Sequence, residues 1–157
     1  MRRLLLPGAL AASLVLSSCS GAVEVDPPTL TAGQRATCAD FLEALPATLD
    51  DLEPVDVDPA DAPAAAFGDP AVVVTCGVDR PEGYDAFSDC LEVDGVGWYL
   101  PQEAGDEPVE ATLTTAGYRP RVEVVVPADY WPTGVATVTV QLAEAVSQTL
   151  RLVQPCR

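Results

Sequence analysis

The residues with the plainest chemistry close a short apolar run: Leu16-Ser17-Ser18-Cys19. The run begins just after Arg2 and Arg3. A basic start, an apolar middle and small residues at the end make a secretory signal. A cysteine in the final place supplies a thiol, which takes a diacylglycerol thioether where Ala or Ser cannot. The pattern predicts a lipoprotein signal peptide over residues 1–18. It also predicts a mature chain that begins at Cys19 and is held on a membrane by acyl chains on that sulfur. The stretch from Leu4 to Leu16 contains Pro7 and Gly8 and falls short of the roughly 20 apolar residues a spanning helix needs. The residues around Arg2-Arg3 match a twin-arginine signal poorly, so general secretion is the expected route.

Four further cysteines remain: Cys38, Cys76, Cys90 and Cys156. In an exported, oxidising setting an even number of thiols reads as disulfides. Of the three possible pairings, Cys38–Cys76 with Cys90–Cys156 is adopted. The first ties an N-terminal helix to the first strand, and the second ties the C-terminal tail to the middle of the sheet. No short C-x₂₋₄-C pair is present, so neither a metal site nor a redox pair is expected.

The carboxylates offer weaker chemistry. Asp85 and Asp89 stand near helical spacing, and Glu103, Asp106 and Glu107 cluster nearby, as paired acids do in glycosidases. Asp56-x-Asp58-x-x-Asp61 has part of a calcium-loop spacing but lacks its glycine and distal glutamate. Among 24 acidic residues such proximity arises by chance. The chain has no His and no Lys. That excludes Ser-His-Asp and Cys-His units, His-ligated zinc and Schiff-base chemistry. No cofactor or metal site is legible.

Charge and composition bound the setting. After residue 18 the chain holds six Arg against all 24 Asp and Glu. Such a surface repels nucleic-acid phosphates and anionic headgroups, so no nucleic-acid partner is expected and membrane contact should come from the acyl chains. Lys, Asn and Ile are all missing beside abundant Ala, Val, Pro and Gly, which points to a high-GC genome such as an actinobacterium's. The length after the signal fits one domain.

The elements that must position these residues follow from the periodicity. Residues 19–30, with Pro27-Pro28, read as a flexible lipidated tether, and residues 31–157 as a single extracytoplasmic domain. Cys38, Phe41, Leu42, Leu45 and Leu49 share one helical face, with Thr31 as N-cap and Pro46 marking the end. Residues 50–70, with seven acids and four prolines, read as a long surface loop. Ala71-Val-Val-Val-Thr-Cys76 reads as a buried central strand. One helical turn is expected near Tyr84–Asp89. Asp94-Gly95 between two β-rich runs predicts a hairpin, and Pro101–Pro108 an acidic loop. Val109–Thr115 and Arg121–Val126 form a second hairpin. Val135, Val138, Leu142, Val146, Leu150 and Val153 predict a helix over about 135–152. The sum is an α+β, two-layer domain: a mostly antiparallel sheet of about five strands, an N-terminal and a C-terminal helix on one face, and two disulfides.

The ordered landmarks are Cys38-x-x-Phe-Leu-x-x-Leu-Pro46, Phe67-Gly-Asp-Pro70 running to Cys76-Gly-Val78, Val93-x-Gly-Val-x-Trp98, Leu113-Thr-Thr-x-Gly117 and Val122-Glu-Val-x-Val-Pro127. With the lipobox, this set resembles the DUF3515 family of actinobacterial lipoproteins and envelope proteins, over nearly the whole mature chain. The resemblance implies that Cys38 and Cys76 are the basic pair and that Cys90 and Cys156 are an addition. It implies no catalytic residues. The expected function is a non-catalytic binding or scaffold module on the outer face of the cytoplasmic membrane, contacting an envelope protein or a wall precursor. Trp98, Tyr99, Tyr130 and Trp131 are the candidate partner contacts, because aromatics with a polar handle favour interfaces. The reading of all four as core or loop-packing residues is preferred to the contact reading. The alternatives are a carboxylate-based cell-wall hydrolase and a weak divalent-cation binder.

Overall fold

A computed structural model describes residues 21–85, 87–101 and 108–155. The expected signal peptide, Cys19, Glu103, Asp106, Glu107 and Cys156 lie outside the described residues.

Helix α1 (Ala32–Glu43) starts at a capping box. The Gln34 N–H donates to Thr31 Oγ1 at 3.3 Å, and the Thr31 N–H donates to Gln34 Oε1 at 3.0 Å, so two end donors of the helix are satisfied reciprocally. The helix stops at Glu43, just before Leu45-Pro46, where the residue before proline disfavours helical backbone. It buries Cys38 and Phe41. Helix α2 (Thr133–Thr149) buries Val135, Val138, Leu142 and Val146, the expected face. It ends three residues short of the expected boundary. Leu150 is extended, and β11 (Arg151–Leu152) pairs with β9 (Tyr118–Arg119), so ladder hydrogen bonds outweigh the helical period that Val153 continues.

Seven strands form one sheet in the order β2-β4-β5-β10-β8-β7-β6. They are β2 (Pro54–Val55), β4 (Ala64–Phe67), β5 (Val72–Val78), β6 (Leu91–Val93), β7 (Val96–Tyr99), β8 (Ala111–Thr115) and β10 (Arg121–Val126). Every neighbour pair in this sheet is antiparallel. The expected count of about five was low because residues 50–70 are not a loop. Ala64-Ala-Ala-Phe67 pairs with β5 and Pro54-Val55 pairs with Phe67-Ala66, and partner strands there override the weak β-propensity of Ala and Pro.

One sheet face carries Val72, Val74, Cys76, Val122, Val124, Val126, Leu113, Val96 and Trp98, which form a single cluster with the buried residues of both helices. Cys38 of α1 and Cys76 of β5 are joined by a disulfide, with Cα atoms 5.5 Å apart. Closing a loop of 38 residues stabilises the fold by about 4 kcal/mol in the chain-entropy model. Its strand lies inside the sheet, as expected of a central strand, but β2 and β4 precede it, so it is not the first strand as expected. Asp94 and Gly95 both take positive φ, at 48° and 79°, as a type I′ hairpin requires. The described residues between 84 and 89 form no helix.

The expected tether is docked over its described part. β1 (Val23–Glu24) pairs in parallel with β3 (Val57–Asp58). The Val23 N–H donates to the Asp56 carbonyl at 2.8 Å, and the Val25 N–H to Asp58 at 3.0 Å. Leu30 is buried against the core. Val23-x-Val25 supplies an alternation just long enough to close these bonds.

Candidate functional site

The expected aromatic contacts divide by burial. Trp98 is fully buried, with its indole N–H unpartnered, so it is a core residue and presents no contact surface. Tyr130 and Trp131 are half-buried against the core. The Tyr130 hydroxyl donates to the Pro70 carbonyl at 2.7 Å, and burial, then Asp129, Asp69 and Asp50, push its pKa up. Tyr99 is half-buried and packs against Tyr84, a lining residue of one recess. Its ring lies 4.9 Å from that of Tyr84 at a tilt of 51°, in the range of favourable aromatic pairs.

That recess was not legible as a site. Arg80, Tyr84, Asp85, Gly117, Arg119, Arg121, Val153 and Gln154 line a space of about 150 Å³. Four separate segments meet there. Arg80, Tyr84 and Asp85 follow β5, Gly117 and Arg119 frame β9, Arg121 opens β10, and Val153 and Gln154 follow β11.

Two glycines build it. The pairing of β10 with β5 sets Arg121 opposite Val78 but Val122 opposite Cys76. Gly77 is therefore an extra residue, bulged out of β5 at a φ of 92°. A Cβ there would lie 2.2 Å from Leu30 Cδ2, so only glycine fits beneath that side chain. Bulges re-aim the neighbouring side chains, and this one sits directly across from Arg121. On the other side of β10, the Val122 N–H donates to Thr115 Oγ1 at 2.9 Å. Gly117 takes a φ of 79°, and a Cβ on it would sit 1.6 Å from the Gln154 carbonyl oxygen. Its own carbonyl accepts from the Val153 and Gln154 N–H groups at 2.8 and 3.3 Å. The tail is thus laid backbone to backbone across Gly117, closing the recess.

The charge here is unlike the rest of the chain. Arg80, Arg119 and Arg121 share one recess, and Arg151 stands directly opposite Arg119 in the β9–β11 ribbon. These are four of the six arginines that follow residue 18. Burial, then the charge of Arg119, lowers the Arg121 pKa. Arg80 acts the same way, and Tyr84 and Asp79 oppose them. Arg121 Nε is buried and has no hydrogen-bond partner. Arg119 Nη1 donates to the Tyr118 carbonyl. The one carboxylate in the lining is engaged locally: Asp85 Oδ1 accepts from the Phe87 N–H at 2.7 Å and from Ser88 Oγ at 3.3 Å. Phe87 on the same loop is 93% exposed.

Among the described residues, the carboxylates singled out for chemistry lie on two separate segments. Asp89 is exposed on this loop, and Asp56, Asp58 and Asp61 lie along β3 and the turn after it. Among the described residues no group of three or more His, Cys, Asp or Glu could hold a metal ion. Among the described residues Glu123 is the one carboxyl pushed up, by burial. It lies across the sheet from Thr114 and Thr75, on the face away from the helices.

Fold and recess together define a small α+β domain with an antiparallel sheet, one disulfide among its described residues, and a basic corner on an acidic chain. The chain belongs to the family described as "Protein of unknown function (DUF3515)", whose model matches residues 4–154. No curated protein and no solved structure matches it.

Proposed function

We propose that this protein is a non-catalytic binding module of the cell envelope, exported and held at the outer face of the cytoplasmic membrane by acyl chains on Cys19. The observation that carries the reading is Leu16-Ser17-Ser18-Cys19 after a basic start and a short apolar run. The Cys38–Cys76 disulfide suits an oxidising compartment. Among the described residues no helix is long and apolar enough to cross a membrane, so nothing there competes with a lipid as the anchor. A second link, Cys90–Cys156, belongs to the same reading and would fasten the C-terminal tail beside the recess it helps to line.

Docking of β1 shortens the free link. From Cys19 to Val23 is four residues, at most about 14 Å when extended. The module therefore works close to the bilayer, within reach of headgroups, wall precursors and membrane-bound partners. The missing His and Lys and the self-satisfied Asp85 support binding over catalysis.

Changing Cys19→Ala tests the anchor. The variant should leave the detergent-rich phase on phase separation and be processed slowly. Persistence of the variant with membranes would place the attachment elsewhere.

A further inference from the structure

We propose that the recess of Arg80, Arg119 and Arg121 binds a phosphoryl group. Three observations carry this. The first is composition. In a chain with 24 acidic residues and few cations, three arginines meet in one recess and a fourth faces Arg119 across a ribbon. Like charges directly opposite each other on paired strands destabilise the pairing, and an anion seated between them reverses the sign of that term.

The second is construction. The arginines are brought together by the Gly77 bulge and by the close passage of the tail over Gly117, not by neighbouring surface positions. Arg121 Nε is buried without a partner, so the guanidinium has donor capacity that the protein leaves unmet. The carboxylate that lines the recess is held by its own loop and does not close a salt bridge across it.

The third is size and chemistry. At about 150 Å³ the space is smaller than the roughly 300 Å³ and more that drug-sized ligands occupy. It suits one anionic group whose remainder projects outward. Guanidinium forks match phosphate oxygens bidentately, and three of them complement a doubly charged phosphate better than a single carboxylate. Tyr84, backed by the ring of Tyr99, gives the lining one aromatic side. The proposal names the ligand class for the binding module above, on which it rests for its setting. The recess itself does not need the anchor, so loss of lipidation in the Cys19→Ala test leaves it standing.

The test uses the full chain in a non-ionic detergent, titrated calorimetrically with inorganic pyrophosphate, phosphate, sulfate and acetate. Expected is saturable one-to-one binding, tightest for pyrophosphate and weakest for acetate, declining with added salt. Arg80→Ala and Arg119→Ala should each weaken pyrophosphate about tenfold or more, the scale of a lost charge-assisted hydrogen bond. Arg121→Lys, which keeps the charge and the aliphatic stem but not the fork, should weaken it as well. Arg35→Ala, which removes an exposed cation of α1, should leave it within about twofold. Thermal unfolding of each variant establishes that it is folded. Detergent-free Cys19→Ala protein, which has no acyl anchor of its own, mixed with neutral phosphatidylcholine vesicles with and without phosphatidic acid separates the sources. Capture only with phosphatidic acid, weakened by Phe87→Ala, assigns a lipid headgroup. Pyrophosphate binding without vesicle capture assigns a soluble phosphate ester. No saturable binding of any phosphate by the folded wild type overturns the proposal, and so does equal weakening by Arg35→Ala and Arg119→Ala.

Discussion

Two recesses of this molecule carry opposite charge and differ in how they are made. One is bordered by Glu24, Val25, Asp26 and Asp58 along the β1–β3 ribbon, with a volume of about 460 Å³. The other, about 150 Å³, gathers Arg80, Arg119 and Arg121. The acidic one is what any surface of this chain would provide, because carboxylates are abundant and two-residue strands suffice to bring a few together. No metal-holding cluster forms there among the described residues. The basic one draws on four segments, a bulge, a glycine crossed by backbone and a large share of the scarce cations. The amount of charge does not distinguish a site from a surface. What does is the structure committed to holding charge of the scarce sign in one place.

The largest expected effect comes from the covalent anchor on the basic side. Cys76 adjoins the Gly77 bulge, whereas the β1–β3 ribbon is held by hydrogen bonds alone. Replacing Cys38 and Cys76 together by Ala should lower stability by about 4 kcal/mol, measured by denaturant titration. Hydrogen exchange should rise more at Val78 and Val122 than at Val23 and Val25. The reverse order would show that the disulfide does not support the basic recess.

Gly117→Ala should come next. Its Cβ has no room against the Gln154 backbone, and φ is left-handed, so the tail must lift. A loss of about 2–4 kcal/mol is expected, with loss of the β9–β11 pairing. Gly21→Ala, beside the β1–β3 ribbon and with nothing within 4 Å of the added carbon, should change stability by no more than about 0.5 kcal/mol. Equal effects at the two positions would erase the distinction drawn here.

A smaller effect is tied to pH. Burial raises the Glu123 pKa in the folded state. The folded protein therefore binds that proton more tightly than the unfolded chain does. Stability from this group is full below its unfolded pKa and is lost as pH rises through the folded value. Glu123→Gln should stabilise the protein at neutral pH by up to about 1 kcal/mol, since the group keeps partial solvation. The gain should vanish in acid, read as melting temperature against pH. The smallest effect is at the acidic recess. Millimolar calcium should leave the melting temperature unchanged, and a ligand-like upward shift would reveal a cation site there.

Much of this architecture was legible in the residues. The two helices followed from apolar spacing, with α1 pinned by Thr31 and Pro46. The hairpin followed from Asp94-Gly95, and the disulfide came from choosing among three pairings. What escaped notice was short or weakly patterned. β4 is three alanines and a phenylalanine, and it forms a strand only because β5 lies beside it. β1, β3, β9 and β11 are two residues each, below any readable period. Trp98 was a candidate contact by type, but the preferred packing reading holds, because it alternates inward with Val96. The basic recess escaped because Arg80 and Arg119 are separated by the β6–β7 hairpin and β8, and only the pairing of β10 with β5 brings them together. The available signal was the scarcity of cations, with two of them at Arg119-Pro-Arg121 in a chain without lysine.

The most direct measurement is of the guanidinium Nε–H resonances, followed by nitrogen-15 NMR on the full chain in non-ionic detergent as pyrophosphate is added. A built anion site predicts that the Arg121 and Arg119 signals move together and saturate, while Arg35 stays in place. Signals of Arg35 and Arg121 drifting in parallel without saturation would contradict it.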